Sequence, residues 1–255
     1  MKSDFDPLAF ARDIEAAAQE GGWTTRQLPP CTSGPRPWFQ RTSPGALKTP
    51  SLYISAGIHG DEYSGPFALL EMLRQPLFFA GFEVTLFPML NPDGLARGIR
   101  ENGAGIDLNR DYRNSKSMEA PGHIEALKTL GRFDAALMLH EDWEGIGAYL
   151  YELNDSLSAN LGQRMIKAMS RYVPIDERPV IEEVPATNGV ISRRDLVFKH
   201  GNIADRPDWP EAIYLSVNHS SVSYTTETPK PFPLADRIQA QIAAVATVLE
   251  ELRKP

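Results

Sequence analysis

Two potential metal ligands stand close together in the first quarter of the chain. His59 and Glu62 are separated by Gly60 and Asp61. Zinc accepts imidazole nitrogen and carboxylate oxygen as ligands, so this pair could hold one ion if the backbone turns between them. The competing interpretation is a turn whose acidic residues stabilise the start of a helix. A pattern as short as His-x-x-Glu does not decide between the two.

A third ligand would have to come from another part of the chain. Of the five histidines, His140 is distinctive because it ends the apolar run 135–139, whereas His59 follows the apolar run 51–56. Ligands of open α/β sheets gather at the carboxyl ends of strands, so both imidazoles are expected on one edge. For His140 alone, a structural role is an equal alternative. The remaining histidines, His123, His200 and His219, are expected at the surface.

Several arginines lie between these two segments. Asn91-Pro-Asp-Gly94 predicts a turn, and Asn109 and Arg110 follow after Arg97 and Arg100. The guanidinium group presents a rigid fork of donors that suits a carboxylate. Beside a metal, such arginines would bind an anion or stabilise a developing oxyanion. Without a metal, the same residues would form a solvated basic loop.

An acid near the C-terminal end of the chain could supply a base. Glu227 ends the strand-like segment 222–227, just before Pro229. On the same edge of the sheet as the metal, its carboxylate could take a proton from an activated water molecule. Taken alone, Glu227 would be an ordinary acid at the end of a strand.

The hydrophobic pattern predicts the elements that carry these residues. Strand formers alternate along the chain with segments of helical periodicity, which indicates one α/β domain over residues 1–255 with a mostly parallel or mixed sheet. The predicted strands are 51–56, 83–90, 134–140, 148–153, 213–217 and 222–227, the predicted helices include 6–20, 64–74, 124–130 and 238–252, and loops are expected at 29–37, 95–121 and 174–212.

The composition and charge of the chain limit its expected partners and cofactors. The net charge is −7, so nonspecific binding to nucleic acid or to an anionic membrane is disfavoured. No apolar run approaches the ~18 residues that a membrane span needs. The single cysteine, Cys31, excludes an internal disulfide and a cysteine-rich metal site. The N-terminus has no secretory pattern, so a cytoplasmic location is expected. The oligomeric state is left open.

Taken in order, these motifs resemble the zinc carboxypeptidase family of metallopeptidases, and in particular its small bacterial branch, which includes murein peptide amidases. The resemblance spans residues 59–229 and rests on the sequence of the motifs, since each one is short. The matching positions are His59, Glu62, Asn91 to Gly94, Arg100, Asp107, Asn109, Arg110, His140 and Glu227.

The resemblance implies a role for each position. His59, Glu62 and His140 would bind one zinc ion, and Glu227 would act as general base and then as general acid. Arg100 would polarise the scissile carbonyl, Asn109 and Arg110 would hold the substrate carboxylate, and Asp107 would orient His59. The implied fold is a mixed sheet of about eight strands with helices on both faces. The implied activity is zinc-dependent hydrolysis of a C-terminal amide or peptide bond in a small peptide.

Two features depart from digestive carboxypeptidases. Their substrate-capping tyrosine has no clear counterpart, although Tyr214 and Tyr224 are candidates. The third ligand is followed by Glu141 and Asp142, where those enzymes have a small hydroxyl residue. These acids could repel acidic substrates, bind an amine, or form a supporting network, and the sequence leaves all three open. Arg193, Arg194 and Lys199 could favour an acidic side chain, with a solvated loop as the simpler interpretation.

Two further functions fit the same residues. A deacylase of the succinylglutamate desuccinylase or aspartoacylase type shares the His-x-x-Glu pair, the Asn-Arg pair and the distant histidine. The intact Asn91-Pro-Asp-Gly94 motif and the Thr226-Glu-Thr-Pro229 ending favour the peptidase. A noncatalytic binding protein on this fold would be expected to lack a ligand or the base, and none is missing.

Overall fold

The computed structural model describes residues 5–42, 49–154, 160–192, 196–197 and 201–254, and ten strands and seven α-helices lie with both ends inside these ranges. The strands are β1 (Thr24–Cys31), β2 (Gly34–Arg41), β3 (Ser51–Ala56), β4 (Glu83–Phe87), β5 (Ala135–Asp142), β6 (Tyr149–Asn154), β7 (Val180–Ile181), β8 (Val184–Pro185), β9 (Val190–Ser192) and β10 (Val222–Pro229). The helices are α1 (Pro7–Glu20), α2 (Ser64–Leu73), α3 (Pro92–Arg97), α4 (Glu119–Lys128), α5 (Leu161–Met169), α6 (Glu211–Asn218) and α7 (Leu234–Leu252), with short 3₁₀ turns at Leu108–Arg110 and Ile203–Asp205.

Eight of the strands form one mixed sheet in the order β1-β2-β4-β3-β5-β10-β6-β9. The centre of the sheet, β4-β3-β5-β10, is parallel, and so is the β6-β9 pair, whereas β1-β2, β2-β4 and β10-β6 are antiparallel. The carboxyl ends of β3, β5 and β10 therefore meet at one edge. The predicted α/β fold with a mixed, mostly parallel sheet of about eight strands is confirmed.

Strand β5 shows how the sequence fixes the direction of each side chain. Seven of its eight residues are buried, as expected for a central strand covered on both faces. Leu137 and Leu139 join the larger apolar cluster on one face, whereas Ala136 and Met138 join a second cluster on the other. Side chains alternate along a strand, so His140 points to the face of Met138, and Glu141 points to the opposite face.

Helices cover both faces. Helices α1, α2, α5 and α7 contribute to the larger cluster, and α4 and α6 contribute to the second. The long helix α7 packs against α5 and α2 and contacts β10 and β5. Among the described residues, no helix combines the length and hydropathy needed to cross a bilayer.

Several of the expected elements were wrong. Within residues 174–212, expected to be loops, lie the short strands β7, β8 and β9, and β9 joins the main sheet because its buried Val190 and Ile191 pair with β6. Residues 29–37, expected to be a loop, instead contribute to the antiparallel pair β1-β2. The prolines of β1 lie on an edge strand, where a missing N–H is tolerated. Those of β2 precede the part that pairs with β4, which begins at Phe39. Residues 213–217, expected to be a strand, form part of helix α6, because burial of Ile213, Tyr214 and Leu215 outweighs local β propensity.

Candidate metal centre

His59 and Glu62 lie where the chain leaves β3 and enters α2. The backbone between β3 and His59 passes through Gly57, whose φ of 64° lies in the left-handed region that favours glycine. His140 lies near the end of β5, the parallel neighbour of β3. All three side chains are buried. Parallel pairing therefore brings together two ligand candidates that are far apart in the sequence.

The carboxylate of Glu62 lies between the two imidazoles. Its Oε1 atom is 2.5 Å from Nδ1 of His59, and its Oε2 atom is 3.0 Å from Nδ1 of His140. One ligand atom from each residue falls within 4.8 Å of the others. Oε2 of Glu62 is buried without a hydrogen-bond partner among the described residues. A buried carboxylate oxygen facing two imidazole nitrogens fits a divalent cation, and two nitrogens with one carboxylate form a set that catalytic zinc accepts.

The electrostatics of this trio favour the ionised form of Glu62. Burial alone would raise the pKa of Glu62, but the nearby imidazoles of His59 and His140 lower it further than burial raises it. Burial likewise opposes the charged form of His59, whereas the Glu62 carboxylate raises its pKa, with a net upward shift. An ionised carboxylate buried between two imidazole nitrogens is an arrangement that can accept a cation.

Asp107 lies behind His59, where it can orient the ring. Its Oδ1 atom is 3.3 Å from Nε2 of His59, and its Oδ2 atom accepts a 2.9 Å hydrogen bond from Nε of Arg100. Burial acts to raise the pKa of Asp107, but His59 and Arg100 lower it well below its usual range. An ionised carboxylate at this position would keep Nδ1 of His59 directed towards the metal.

Glu227 stands beside the trio in direct register with His140. The two residues are Cα partners in the parallel β5-β10 pair, and Tyr149 is the partner of Glu227 on the other side. Glu227 is half-buried and lines the same cavity as the ligand candidates. Burial raises its pKa to about 8, although the His140 ring opposes that shift. Such a pKa near neutrality suits a group that takes and returns a proton.

The predicted arginine and asparagine positions also reach this cavity. Arg100, Asn109 and Arg110 all line it. Arg100 lies with Nη1 3.4 Å from Nδ1 of His59, so its charge is next to the trio. Arg110 is exposed and pairs with Asp208 at 3.3 Å, whereas Oδ1 of Asn109 accepts a hydrogen bond from the N–H of Glu211 at the start of α6. Asn109 thus also fixes this helix.

The segment predicted as a turn at Asn91-Pro-Asp-Gly94 is instead the beginning of helix α3. Asn91 caps the helix by accepting a hydrogen bond from the N–H of Gly94, and Pro92 occupies the first turn. The Nδ2 group of Asn91 donates to the carbonyls of Ile58 and Arg100. This capping residue therefore joins the ligand-bearing turn to the segment that carries Arg100.

Two glycines allow those segments to cross. A Cβ atom on Gly60 would lie 1.9 Å from the carbonyl carbon of Gly94, far inside van der Waals contact. The N–H of Gly60 donates a 3.2 Å hydrogen bond to the carbonyl of Arg100. Glycine is required at this crossing for space.

Three roles were considered for Glu141 and Asp142, and their contacts favour the supporting network of hydrogen bonds. Glu141 is buried on the face opposite His140, where its Oε2 atom accepts hydrogen bonds from the N–H groups of Tyr63 and Ser64 and its Oε1 atom pairs with Arg237. Asp142 lines the cavity and accepts a 3.2 Å hydrogen bond from the hydroxyl of Tyr149. Glu141 is therefore structural, whereas Asp142 is at the site.

Neither tyrosine suggested by the sequence reaches the cavity. Tyr214 and Tyr224 are buried in the two apolar clusters. Tyr149 and Tyr151 of β6 line it instead. Burial, followed by the charge of Glu227, raises the pKa of Tyr149 far above its ordinary value. The alternation of Tyr149, Tyr151 and Leu153 was the available signal, but only the antiparallel pairing with β10 shows which face they occupy.

The histidines outside the trio have different surroundings. His123 is fully buried, with its ring nitrogens bonded to the hydroxyls of Tyr53 and Tyr112, and His219 is also buried. The expectation that these two lie at the surface was wrong, because apolar neighbours on α4 and α6 carry them into the core. His200, Arg193, Arg194 and Lys199 lie outside the described residues.

The complete cavity has a volume of about 980 Å³ and lies above the carboxyl ends of the central strands. Arg100, Arg110 and Arg206 line it together with Asp142, Glu144 and Glu182. The metal trio and Glu227 share this one space. A small molecule with both polar and apolar parts could therefore bind with its reactive bond next to them.

The chain is similar to several known proteins. Residues 48–171 match the family model of the succinylglutamate desuccinylase/aspartoacylase catalytic domain. A candidate metallopeptidase from Shewanella denitrificans is 26% identical over 96% of this chain and 89% of its own, with a TM-score of 0.81. Another from Shewanella amazonensis is 27% identical over 97% and 93%, also with a TM-score of 0.81.

A more distant structure shares the fold. The metallo-carboxypeptidase from Pseudomonas aeruginosa, in complex with (2-guanidinoethylmercapto)succinic acid, is 19% identical, with 98% of this chain and 70% of that chain covered and a TM-score of 0.66. No curated protein matches the chain.

These similarities and the site geometry define the class of protein as a metal-dependent hydrolase. The family match and the similarity to the Shewanella structures support the zinc carboxypeptidase-like family that the order of the motifs indicated.

Proposed function

We propose that this protein is a zinc-dependent amide hydrolase that cleaves the bond next to a residue with a free carboxylate in a small peptide. The observation that carries the proposal is the register of β5 and β10, which places Glu227 directly beside His140. A candidate metal ligand and a candidate general base are thus paired across two neighbouring strands of the sheet. His59 and Glu62 complete the trio within 4.8 Å.

Each residue has a distinct task in the proposed reaction. A zinc ion held by the trio would supply Lewis-acid activation of water and of the scissile carbonyl. Glu227 takes the proton of the attacking water and returns it to the leaving amine, and a pKa of about 8 suits both transfers. Arg100 stabilises the negative charge that develops on the carbonyl oxygen.

The substrate carboxylate would be held by Arg110, with Asn109 beside it. Arg110 is exposed in the cavity and presents a planar fork of donors, which suits a carboxylate better than a lysine would. The Pseudomonas aeruginosa relative is bound to a succinic acid derivative, which is consistent with a small carboxylate ligand. Fixing that carboxylate would determine which amide bond lies next to Glu227.

A deacylase is the second candidate, and the matching family model is compatible with it. Residues 48–171 contain the trio, Asp107, Asn109 and Arg110, and their model describes a desuccinylase and aspartoacylase domain. Both candidates release an amino acid from an amide and use the same base and metal. They differ in whether the group on the other side of the bond is a peptide or a simple acyl chain.

Parallel assays of matched substrates test the proposal. The protein is stripped with a chelator, reloaded with one equivalent of zinc and incubated with N-acetyl amino acids and with the corresponding N-acetyl dipeptides. Zinc-dependent release of the C-terminal amino acid from the dipeptides supports the peptidase, and release from the N-acetyl amino acids alone supports the deacylase. Absence of zinc-dependent release from both panels would contradict the proposal.

A further inference from the structure

The two threonines that flank Glu227 point away from the cavity. Glu227, Thr225 and Ser223 line the cavity, so the residues that alternate with them face the opposite side of the sheet. Thr226 and Thr228 are both fully buried on that side. Their hydroxyl groups therefore lie behind the strand position that carries the proposed base, where each of them needs a hydrogen-bond partner.

Gln241 of helix α7 supplies hydrogen-bond partners to two neighbouring strands at once. Its side chain is fully buried. Its Oε1 atom accepts a 2.6 Å hydrogen bond from the hydroxyl of Thr226 on β10, and its Nε2 group donates a 2.8 Å hydrogen bond to the backbone carbonyl of His140 on β5. A carbonyl can only accept and a hydroxyl can donate, so the two contacts fix the orientation of the amide. This side chain therefore bridges β5 and β10 next to the candidate metal centre.

The bridged positions are those of a candidate ligand and of the candidate base. His140 is the Cα partner of Glu227, and Thr226 directly precedes Glu227. On the other side of β5, the pairing with β3 ends at Leu139, one residue before His140. The amide of Gln241 therefore holds the backbone of His140 at the point where its pairing with β3 has ended.

Thr228 extends the same network to the segment that carries the other two proposed ligands. Its Oγ1 atom lies 3.1 Å from the hydroxyl oxygen of Ser64, at the start of α2, and 3.4 Å from Nε2 of Gln241. Ser64 is buried and follows Glu62 by two residues. Hydrogen bonds behind the sheet thus connect the three segments that supply the trio and the proposed base.

We propose that Gln241 is a positioning residue that sets the separation between the imidazole of His140 and the carboxylate of Glu227. It does so by holding the carbonyl of His140 and the hydroxyl of Thr226 on one amide. The proposal rests on the proposed function, in which His140 holds the metal and Glu227 accepts a proton. Reactive groups keep their productive geometry when the residues behind them are locked by packing and hydrogen bonds. A displacement of about 1 Å between such groups can lower the rate by about 100-fold.

Replacement of the amide by an apolar side chain of similar length tests the proposal. Gln241→Met removes both hydrogen bonds and leaves the residues that line the cavity unchanged. For the substrate panel that the zinc-loaded protein cleaves, kcat should fall by about 10- to 100-fold, while KM should change by less than about threefold. Gln239→Met is the matched control, because it makes the same change on the same helix and removes a partly buried hydrogen bond to Glu71. A kcat in Gln241→Met that equals the kcat in Gln239→Met overturns the proposal.

Two variants of Thr226 test the other end of the bridge with a smaller change in the core. Thr226→Val keeps the shape of the side chain and removes its hydroxyl, whereas Thr226→Ser keeps the hydroxyl that donates to Gln241. The kcat of Thr226→Ser should exceed that of Thr226→Val by about three- to tenfold. Urea denaturation gives the folded fraction of each variant, and rates are expressed per folded molecule, so a loss of stability alone does not lower kcat. Equal kcat values in the two variants would show that the hydroxyl of Thr226 positions nothing.

Zinc affinity separates this proposal from the proposed function. Competition against a fluorescent chelator measures that affinity without any hydrolysis, and Gln241→Met should bind zinc about tenfold more weakly than Gln239→Met, because His140 is one of the three proposed ligands. Weaker zinc binding, without turnover by the unmodified protein, contradicts the hydrolase and supports the positioning role. Turnover with equal kcat and equal zinc affinity in the two glutamine variants supports the hydrolase and overturns the positioning role. Equal zinc affinity without any turnover overturns both.

Discussion

Glu141 forms a buried ion pair with Arg237, directly behind the strand residue that carries the His140 imidazole. The same carboxylate accepts hydrogen bonds from the N–H groups of Tyr63 and Ser64, at the start of α2. One side chain thus ties β5, α2 and α7 together next to the candidate metal centre. An anion at the N-terminus of α2 also interacts favourably with the helix dipole.

Removal of one partner of this pair should destabilise the protein strongly. Arg237→Ala leaves the buried Glu141 carboxylate without its cationic partner, so we expect the free energy of unfolding to fall by about 3–5 kcal/mol. Urea denaturation followed by circular dichroism measures the change. The control is Lys128→Ala, which breaks the exposed pair with Glu125 and should cost less than about 1 kcal/mol. Similar losses in the two variants would show that the buried ion pair stabilises the protein no more than the exposed pair does.

Replacement of the proposed base should remove turnover but not metal. Glu227→Gln keeps the size of the side chain and removes its capacity to take a proton, so kcat should fall by about 10²- to 10⁴-fold. Elemental analysis should still find zinc, because the three proposed ligands are unchanged. Glu125→Gln, on the exposed face of α4, is the matched control. Wild-type kcat in Glu227→Gln would assign the base elsewhere.

Zinc binding should depend on Asp107 as well as on the three proposed ligands. Asp107→Asn removes the carboxylate that lies 3.3 Å from Nε2 of His59, and we expect zinc affinity to fall by about 10- to 100-fold. His140→Ala should abolish stoichiometric binding. Competition against a fluorescent chelator measures both affinities.

A second group of potential ligands provides the control for that experiment. Cys31, Asp93 and Glu119 also bring ligand atoms within 4.8 Å of one another. The thiol of Cys31 contacts Oε1 of Glu119 at 3.6 Å, and Asp93 accepts a hydrogen bond from the N–H of Ser33. Because the proposed metal centre does not include Cys31, the Cys31→Ser variant should keep one zinc per chain with unchanged affinity. Loss of the single zinc in this variant would show that the metal binds at Cys31, Asp93 and Glu119 instead of at the proposed centre.

The reactivity of Cys31 should show an unusual dependence on pH. Burial, reinforced by the charges of Glu119 and Asp93, raises the pKa of this thiol to about 12. Only the thiolate reacts with iodoacetamide, so at pH 8 alkylation of the folded protein should be about 1,000-fold slower than alkylation of the unfolded chain. Mass spectrometry of timed samples measures both rates.

The same shift has a consequence for stability. A raised thiol pKa stabilises the folded state while the thiol is protonated, so this contribution is complete below the pKa of the unfolded chain and is lost as the pH rises towards 12. Cys31→Ser should show a smaller loss of stability between pH 9 and pH 11 than the unmodified protein. An identical pH dependence of stability in the two proteins would contradict the raised pKa of the Cys31 thiol.

The proximity of His59, His140 and Glu227 could be predicted from the sequence because each of them follows or ends an apolar run. His59 follows β3, and His140 and Glu227 lie near the ends of β5 and β10. Parallel strands present their carboxyl ends to one edge, so strand-end position alone was enough to expect proximity. Helix α7 was predicted for a comparable reason, since its periodicity is local.

Features that depend on non-local pairing could not be predicted in the same way. The position of Tyr149 next to Glu227 requires knowing that β6 returns antiparallel to β10 and in which register. The role of Glu141 depends on Arg237, almost a hundred residues further along, and on the start of α2. Local chemistry also misled at Asn91, where residues that favour a turn serve as a helix cap.

The crossing of Gly60 over Gly94 has a consequence for engineering. The backbone that carries two of the proposed ligands is in contact with the backbone that precedes Arg100, and a hydrogen bond from Gly60 to the carbonyl of Arg100 joins them. If only the His-x-x-Glu turn were transplanted into another scaffold, the second of these two contacting segments would be missing. Residues 57–64 and 91–100 would have to be moved together for the graft to keep the metal and the cationic group at their mutual distance.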